Sequence, residues 1–375
     1  MKILIIASTF PPEGGGLQNK MFFLLKQWCR DGHSVVVLTP VHGRENDLYK
    51  RVHVPLNGHY LYKAYLLSRK IRQVVNEYAI DIIYCLSWSP EGVAVLLSGF
   101  GKKIKWAVTV SGFDVIDGLK SPQTRFLIRQ VFRQTTKIYP PGIFLNSKVQ
   151  STGDFFDKTV IIPHGVDIKM FSPDISGNSI RKKYALENNL VIMTLSRLHP
   201  IKGIDLVIDA FSNVVKQVEN ARLLIVGTGE DENELKEKVR KLQIGEKVVF
   251  TGWVSHQESP GYYAACDVFV MSGRNYLGRE EGQPFSSLEA SACGKPVVGL
   301  AVGGIPEVVI DNYNGFLVNP KSTEELIQKL EYLLFHPEER KRLGENGVSF
   351  VRNSCDISKN ARRMLEDLLS ADEPE

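Results

Sequence analysis

The chain has 375 residues, 43% of them hydrophobic and 23% charged, enough for two domains with cores of their own. No apolar run approaches the roughly 20 residues that a membrane-spanning helix needs, and the five cysteines (29, 85, 266, 293, 355) show no C-x-x-C spacing. Such an odd, unpatterned set argues for reduced thiols in a cytoplasm and against a disulfide framework or a zinc site.

In chain order the elements alternate. Met1-Lys2-Ile3-Leu4-Ile5-Ile6-Ala7 reads as a first strand, predicted over 2–8. Its apolar stretch is too short, and its flank too rich in Pro and Gly, for a signal peptide. A Gly loop at 14–16, helix 18–31, strand 33–39, helix 62–78, strand 81–86 and strand 105–110 follow. A basic helix is predicted near 122–136, then strands near 143–145 and 159–162. Pro163, Gly165, Pro173, Gly177 and their polar neighbours read as a linker. The second half opens with strand 190–195, helix 203–218, strand 222–227, helix 231–242 and strand 247–250. Helix 258–265, strand 267–271, helix 285–293 and strand 296–300 complete its centre. Helices near 322–335, 337–349 and 356–370 end the chain. Short Val/Ile/Leu runs between amphipathic helices imply parallel sheets covered on both faces, hence two doubly wound α/β domains in series.

Net charge is only +4, but it is uneven. Residues 1–165 hold 21 Lys/Arg against 11 Asp/Glu, and the remainder 25 against 31. A first half at +10 points to an anionic partner. Residues 118–153 contain no carboxylate. Within them Arg125, Arg129, Arg133 and Lys137 recur every four residues, which on a helix makes one basic stripe beside Phe126, Ile128 and Phe132. An ordinary solvated helix has the same pattern.

The richest stretch is Glu281-Gly282-Gln283-Pro284-Phe285-Ser286-Ser287-Leu288-Glu289. Pro284 suits a first helical position. The N–H groups of Phe285, Ser286 and Ser287 would then point out of the helix start, where an anion is favoured. Eight residues on a helix separate two carboxylates by up to ~12 Å. A retaining hydrolase needs its pair roughly 5–5.5 Å apart, so two contacts along one long ligand fit better. Two Glu on a solvated helix would look the same. Upstream, Ser196-Arg197-Leu198-His199-Pro200-Ile201-Lys202-Gly203 leaves a strand and enters a helix. Arg197 offers a planar fork and Lys202 a point charge, a reasonable diphosphate clamp. Gly227-Thr228-Gly229 is a βα turn. Pro11-Pro12-Glu13-Gly14-Gly15-Gly16 precedes a helix, and its glycines allow close backbone approach and free N–H groups. It is neither a Walker loop nor a full G-x-G-x-x-G.

Together these stretches resemble the retaining nucleotide-sugar glycosyltransferases of family 4, with their E-x7-E signature, S/G-R-L-x-x-x-K-G loop, V-G-x-G turn and P-P-x-x-G-G loop. Gly32-His33-Ser34-Val35 is similar to the family's G-H-x-V, and Pro163-His164-Gly165-Val166-Asp167 to its P-N/H-G-V-D. For His33 and His164 a structural role is the better reading. Gly303-Gly304-Ile305-Pro306-Glu307 and Asn314-Gly315-Phe316-Leu317-Val318 match the late G-G-x-x-E and N-G-x-L-V. The resemblance runs from residue 2 to about 350.

It implies a GT-B fold: two Rossmann-like domains facing across a cleft. The N-terminal, acceptor-binding domain would span 1–165, with 351–375 packing back on it. A linker would span 166–189, and a donor-binding domain 190–350. It implies retaining transfer of a sugar from a nucleotide diphosphate to an acceptor hydroxyl. Arg197 and Lys202 would hold the diphosphate, Glu281 the donor sugar hydroxyls and Glu289 the ribose. Gly15, Gly16, Gly229, Val254, Gln283 and the N–H groups at 285–287 would complete the donor site. Asp114 is a further catalytic candidate.

Two departures stand out. Ser111-Gly112-Phe113-Asp114 carries Ser where many relatives have His, and Gln283-Pro284 replaces a commoner aromatic and Gly. No D-x-D pair or His/Asp cluster implies a metal, so no cofactor is expected. The preferred acceptor is lipid-linked or a cell-surface saccharide. The enzyme would be cytoplasmic, with loose attachment to the inner membrane face through the basic stripe; no nucleic-acid reading module is present. A soluble small-acceptor transferase, a nucleotide-sugar epimerase and a non-catalytic nucleotide-sugar-binding protein remain open.

Overall fold

The computed structural model describes residues 1–10, 15–42 and 48–371. Pro11 to Gly14 of the expected Gly loop lie outside them. The chain divides into two compact units, Met1–Gly165 with Ile357–Glu375, and Val166–Asp356.

In the first unit the elements run β1 (Lys2–Ile6), α1 (Gly16–Arg30), β2 (Ser34–Thr39), β3 (Lys50–His53), α2 (Tyr60–Tyr78), β4 (Ile82–Cys85), α3 (Val93–Ser98), β5 (Lys105–Thr109), α4 (Phe113–Gly118), α5 (Pro122–Gln134), β6 (Lys137–Tyr139) and α6 (Ile143–Gln150). The sheet is parallel, in the order β3-β2-β1-β4-β5-β6. Its pleat sends Ile3 and Ile5 to one core and Leu4 and Ile6 to the other. Chain order reverses between β1 and β4, and the crevice at such a switch point is where open α/β sheets bind ligands.

The second unit contains α7 (Asn178–Lys183), β7 (Leu190–Leu195), α8 (Ile204–Gln217), β8 (Ala221–Val226), α9 (Glu232–Lys241), β9 (Val248–Phe250), α10 (Ser259–Ala265), β10 (Val268–Met271), α11 (Phe285–Ala292), β11 (Val297–Leu300), β12 (Gly315–Val318), α12 (Thr323–Phe335) and α13 (Pro337–Ser354). Its parallel sheet has the order β12-β11-β10-β7-β8-β9, with the switch between β7 and β10. The expected linker is integrated here: residues 166–189 carry α7 and bury Phe171 and Leu186 in this unit's core.

The last helix, α14 (Ile357–Ser370), belongs to the first unit. Ile357, Ala361, Met364, Leu365 and Leu368 form its buried stripe, at the i, i+4, i+7 spacing that an amphipathic helix needs. Trp28 Nε1 donates to the Ala361 carbonyl at 2.8 Å, and the Tyr139 hydroxyl donates to the Met364 carbonyl at 3.0 Å.

Some expectations fail for local reasons. Residues 143–145 start helix α6, because Pro140-Pro141-Gly142 ends β6 and extended Gly142 opens a new helix whose buried side is Leu145 and Val149. Residues 159–162 make only a bridge from Thr159 to Ile138. Lys137 is not on the basic helix. Thr135 takes an extended conformation at its C-cap, and Lys137 begins β6, where Nζ pairs with Asp367 at 3.2 Å. Arg125, Arg129 and Arg133 remain exposed on α5. Strands β3 and β12 were not predicted; both are four-residue edge strands. Among the described residues no helix is long and apolar enough to cross a membrane.

Candidate functional site

In the second unit the two strands that flank the switch point deliver the expected charges. The segment after β7 carries Arg197 to Lys202, and the segment after β10 carries Glu281. Lys202 Nζ meets Glu281 Oε1 at 2.6 Å, with Glu281 buried and Lys202 largely so. Burying either charge alone would be costly, so each neutralises the other. The Lys202 loop is fixed from behind. The Ser272 hydroxyl donates to the Lys202 carbonyl at 2.7 Å. Arg274 Nε donates to the Pro200 carbonyl at 2.7 Å, and its Nη1 reaches Asp205 at 3.0 Å. Gly203, at φ +59°, brings its backbone so close to Ser272 that a Cβ would lie 2.1 Å from that carbonyl oxygen. Only glycine fits there.

Arg197 is two-thirds exposed, and its guanidinium contacts Glu230 at 3.2 Å. The other Glu230 oxygen lies 3.0 Å from His199 Nε2. His199 Nδ1 accepts the Ile201 N–H at 3.1 Å, so the ring proton sits on Nε2 and points at Glu230. Gly229 belongs to the turn against this loop; a Cβ on it would meet the Leu198 carbonyl oxygen at 2.0 Å. The Gly-Thr-Gly turn is therefore a close-packing device. Val254 lies in the neighbouring 251–257 loop, partly buried against the core.

Helix α11 begins at Phe285, and Pro284 is its N-cap in extended conformation rather than its first residue. Phe285, Ser286 and Ser287 are thus the first three helical residues, where backbone N–H groups lack intrahelical acceptors. Gln283 is buried beside them, and the Ser287 hydroxyl is buried without a hydrogen-bond partner. The late Gly-Gly pair supports this segment. Gly304 N–H donates to the Glu281 carbonyl at 3.0 Å. A Cβ on Gly303 would lie 2.2 Å from that same oxygen. Glu281 itself is in the loop, so the spacing to Glu289 is not that of one helix. Glu289 is buried on α11, accepts the Tyr263 hydroxyl at 2.7 Å and has His256 Nδ1 at 3.7 Å. Burial pushes its carboxyl up to about 7, and the Tyr263 hydrogen bond opposes that shift.

The first unit holds the other candidates. Gly15 is exposed, but its N–H is taken by Gln18 Oε1 at 2.7 Å, so it is not a free donor. Gly16 opens α1. Asp114 braces the turn at the end of β5: Oδ1 accepts the N–H groups of Ser111 at 3.2 Å and Gly112 at 2.9 Å. Its Oδ2 accepts the Ser87 hydroxyl at 3.1 Å. His164 is buried against α1, its Nδ1 3.1 Å from Lys20 Nζ. His33 is half-buried beside its strand. Among the described residues no group of three or more His, Cys, Asp or Glu could hold a metal ion.

His199, Glu230, Ser272, Arg274 and Tyr263 join the second-unit site without having been singled out in the sequence. His199 lies inside a quoted motif and could have been found there; the others touch the site only through the fold.

Two doubly wound parallel sheets in one chain, each with polar loops at its switch point, define the GT-B class. The structure of Anabaena HepE in complex with UDP superposes with a TM-score of 0.81 at 21% identity, covering 99% of this chain and all of that one. The sequence model of glycosyl transferases group 1 matches residues 177–350, and that of glycosyltransferase family 4 matches residues 14–169. The chain belongs to glycosyltransferase family 4. It is 26% identical over 373 residues to the GDP-mannose-dependent alpha-(1-6)-phosphatidylinositol monomannoside mannosyltransferase of Mycobacterium tuberculosis, with 93% of each chain covered. It is also 26% identical over 377 residues to the N-acetyl-alpha-D-glucosaminyl L-malate synthase of Bacillus anthracis, with 94% of this chain and 92% of that one covered. It is a nucleotide-sugar glycosyltransferase.

Proposed function

We propose that the protein transfers a sugar, with retention, from a nucleotide diphosphate to a hydroxyl of a lipid-linked or cell-surface saccharide, without a metal. The observation that carries this reading is the 2.6 Å contact of Lys202 with Glu281 at the switch point of the second unit. A diphosphate offers Lys202 and Arg197 new oxygens, and Glu281 is then released toward hydroxyls of the donor sugar. Fixed cations act where the leaving diphosphate gains charge, which is where electrostatic stabilisation accelerates a reaction. The first N–H groups of α11 suit the same anion. Glu289, fixed by Tyr263, would accept from the ribose. The leaving phosphate helps to take the acceptor proton, so Ser111 in place of a His is no barrier.

The glycolipid acceptor is supported by relatives named for a phosphatidylinositol mannoside and, in Streptococcus pneumoniae, for a glucosyldiacylglycerol. It is also supported by exposed Arg125, Arg129 and Arg133 beside Phe126 on α5, a surface suited to the inner face of a membrane. The test is to incubate the enzyme in EDTA with UDP-, GDP- and ADP-sugars and a lipid extract, and to read the product's anomeric configuration by NMR. Retained configuration in EDTA is expected. Inverted product, or activity only with added metal, would overturn the reading.

A further inference from the structure

Away from the donor loops the second unit has a groove of about 350 Å³, lined by Asn312, Phe316, Gln328, Lys329, Tyr332 and Glu339. Asn312 precedes β12, Phe316 lies on it, and Gln328, Lys329 and Tyr332 stand toward the end of α12. Lys202 and Glu281 follow the carboxyl ends of β7 and β10, whereas the start of β12 and the end of α12 lie at the amino edge of the same parallel sheet. A molecule in the groove therefore does not touch the donor.

The walls of the groove are braced. Arg342 donates to both Glu339 oxygens, at 3.0 and 2.8 Å, and to the Asn312 carbonyl at 3.2 Å. The Asn312 N–H donates to the Gly315 carbonyl at 2.9 Å. His336 stacks on the Tyr332 ring at 4.2 Å, and Phe316 meets that ring edge-on at 5.8 Å, yet Tyr332 stays 39% exposed. Lys329 Nζ lies 4.4 Å over the Phe316 ring. Among the described residues Lys329 pairs with no carboxylate, and no donor reaches the side-chain oxygens of Asn312 and Gln328. The amide nitrogens of those two donate to Asp311 at 3.1 Å and to Glu324 at 3.2 Å.

These groups match a polyol better than an ion. Two amide oxygens accept hydroxyl hydrogens, one ammonium donates to hydroxyl oxygens, and an aromatic face suits the weakly positive C–H groups of a sugar ring. A cation would meet Lys329 and a carboxylate already engaged by Arg342. An anion would meet that carboxylate and two amide oxygens beside the one ammonium. The volume is at the low end of the ~300–1,000 Å³ of small-ligand sites, which fits a short stretch of saccharide. We infer that the groove is a non-catalytic saccharide-binding site: a neutral oligosaccharide lays one ring against Tyr332, donates hydroxyl hydrogens to Asn312 and Gln328 and accepts from Lys329. It gives the enzyme a second hold on a saccharide acceptor, remote from the reacting sugar. That use, though not the chemistry of the groove, rests on the saccharide acceptor proposed above.

The test uses the full chain. Binding of three neutral oligosaccharides, α-1,6-mannotetraose, maltotetraose and chitotetraose, is measured by saturation-transfer NMR, with nucleotide-sugar affinity measured by calorimetry on the same samples. The natural protein should bind at least one of them. Tyr332→Ala should weaken that binding at least tenfold and Gln328→Ala at least threefold, both leaving nucleotide-sugar affinity within twofold. Lys202→Ala should leave oligosaccharide affinity within twofold, which separates the groove from the donor site. Should Tyr332→Ala not fold, exposed Gln328 carries the test. No binding of any of the three by the natural protein, or unchanged oligosaccharide affinity in either folded variant of the groove, would overturn the inference. Loss of nucleotide-sugar binding in the natural protein would instead overturn the functional reading beneath it.

Discussion

The two switch points share one backbone geometry and carry opposite chemistry. In the second unit the charges of the clamp loops pair with groups of the other sign: Lys202 with Glu281, Arg197 with Glu230, Arg274 with Asp205. In the first, Glu91 and Asp114 have only serines and N–H groups. A paired set can exchange its internal carboxylates for a diphosphate while staying close to neutral. The fold fixes where ligands enter, and the strand-end residues decide which ligand each unit takes.

The largest effect is expected for Glu281→Gln. Turnover should fall about 100-fold, the scale seen when a transition-state contact is removed. Nucleotide affinity should hold or rise, because Lys202 loses its internal partner; steady-state kinetics beside nucleotide titration separate the two. Lys202→Ala should weaken donor binding by about 1.5–3 kcal/mol, the worth of a charge-assisted hydrogen bond. Calorimetric titration of the nucleotide sugar reads this loss directly, and undiminished binding would dissolve the contrast between the units.

The two units should also respond oppositely to pH. Glu289 is raised to about 7 by burial. Between its unfolded value near 4.5 and about 7 the folded chain holds a proton that the unfolded chain has lost, so stability falls as pH rises through that window. Lys20 is lowered to about 7 by burial. Between about 7 and its unfolded value of 10.5 the unfolded chain holds the extra proton, so its contribution grows as pH rises. Melting curves of Glu289→Gln should lose the first slope, on the order of 2–3 kcal/mol across the window, and those of Lys20→Met the second. The smallest effect is expected for Glu230→Gln. Its pair with Arg197 is exposed and worth about 0–1 kcal/mol, so donor binding should tighten no more than about fivefold; calorimetry reads this directly.

Most of the second unit was legible in the sequence. Strand 190–195 was read to the residue, and Arg197, Lys202 and Glu281 announced themselves because the resemblance covers contiguous motifs. The meeting of Lys202 with Glu281, 79 residues apart, follows from the switch between β7 and β10, which a strand list implies only once strand order is known. Glu91 was illegible for the opposite reason. It sits in an ordinary Ser-Pro-Glu-Gly turn, and only the fold shows that this turn is buried with the Glu91 carboxyl against the Ser8 N–H. Lys137 was misread because a four-residue period continued past Thr135, where the helix had already ended.

The most direct test of the central contrast is calorimetric titration of one UDP-, GDP- or ADP-sugar, in EDTA, into the natural protein, Lys202→Ala and Glu91→Gln. Binding by the natural protein, a 10- to 100-fold loss in Lys202→Ala and no more than a twofold change in Glu91→Gln is the expected result. Undiminished donor affinity in Lys202→Ala would contradict the assignment of the paired site to the donor.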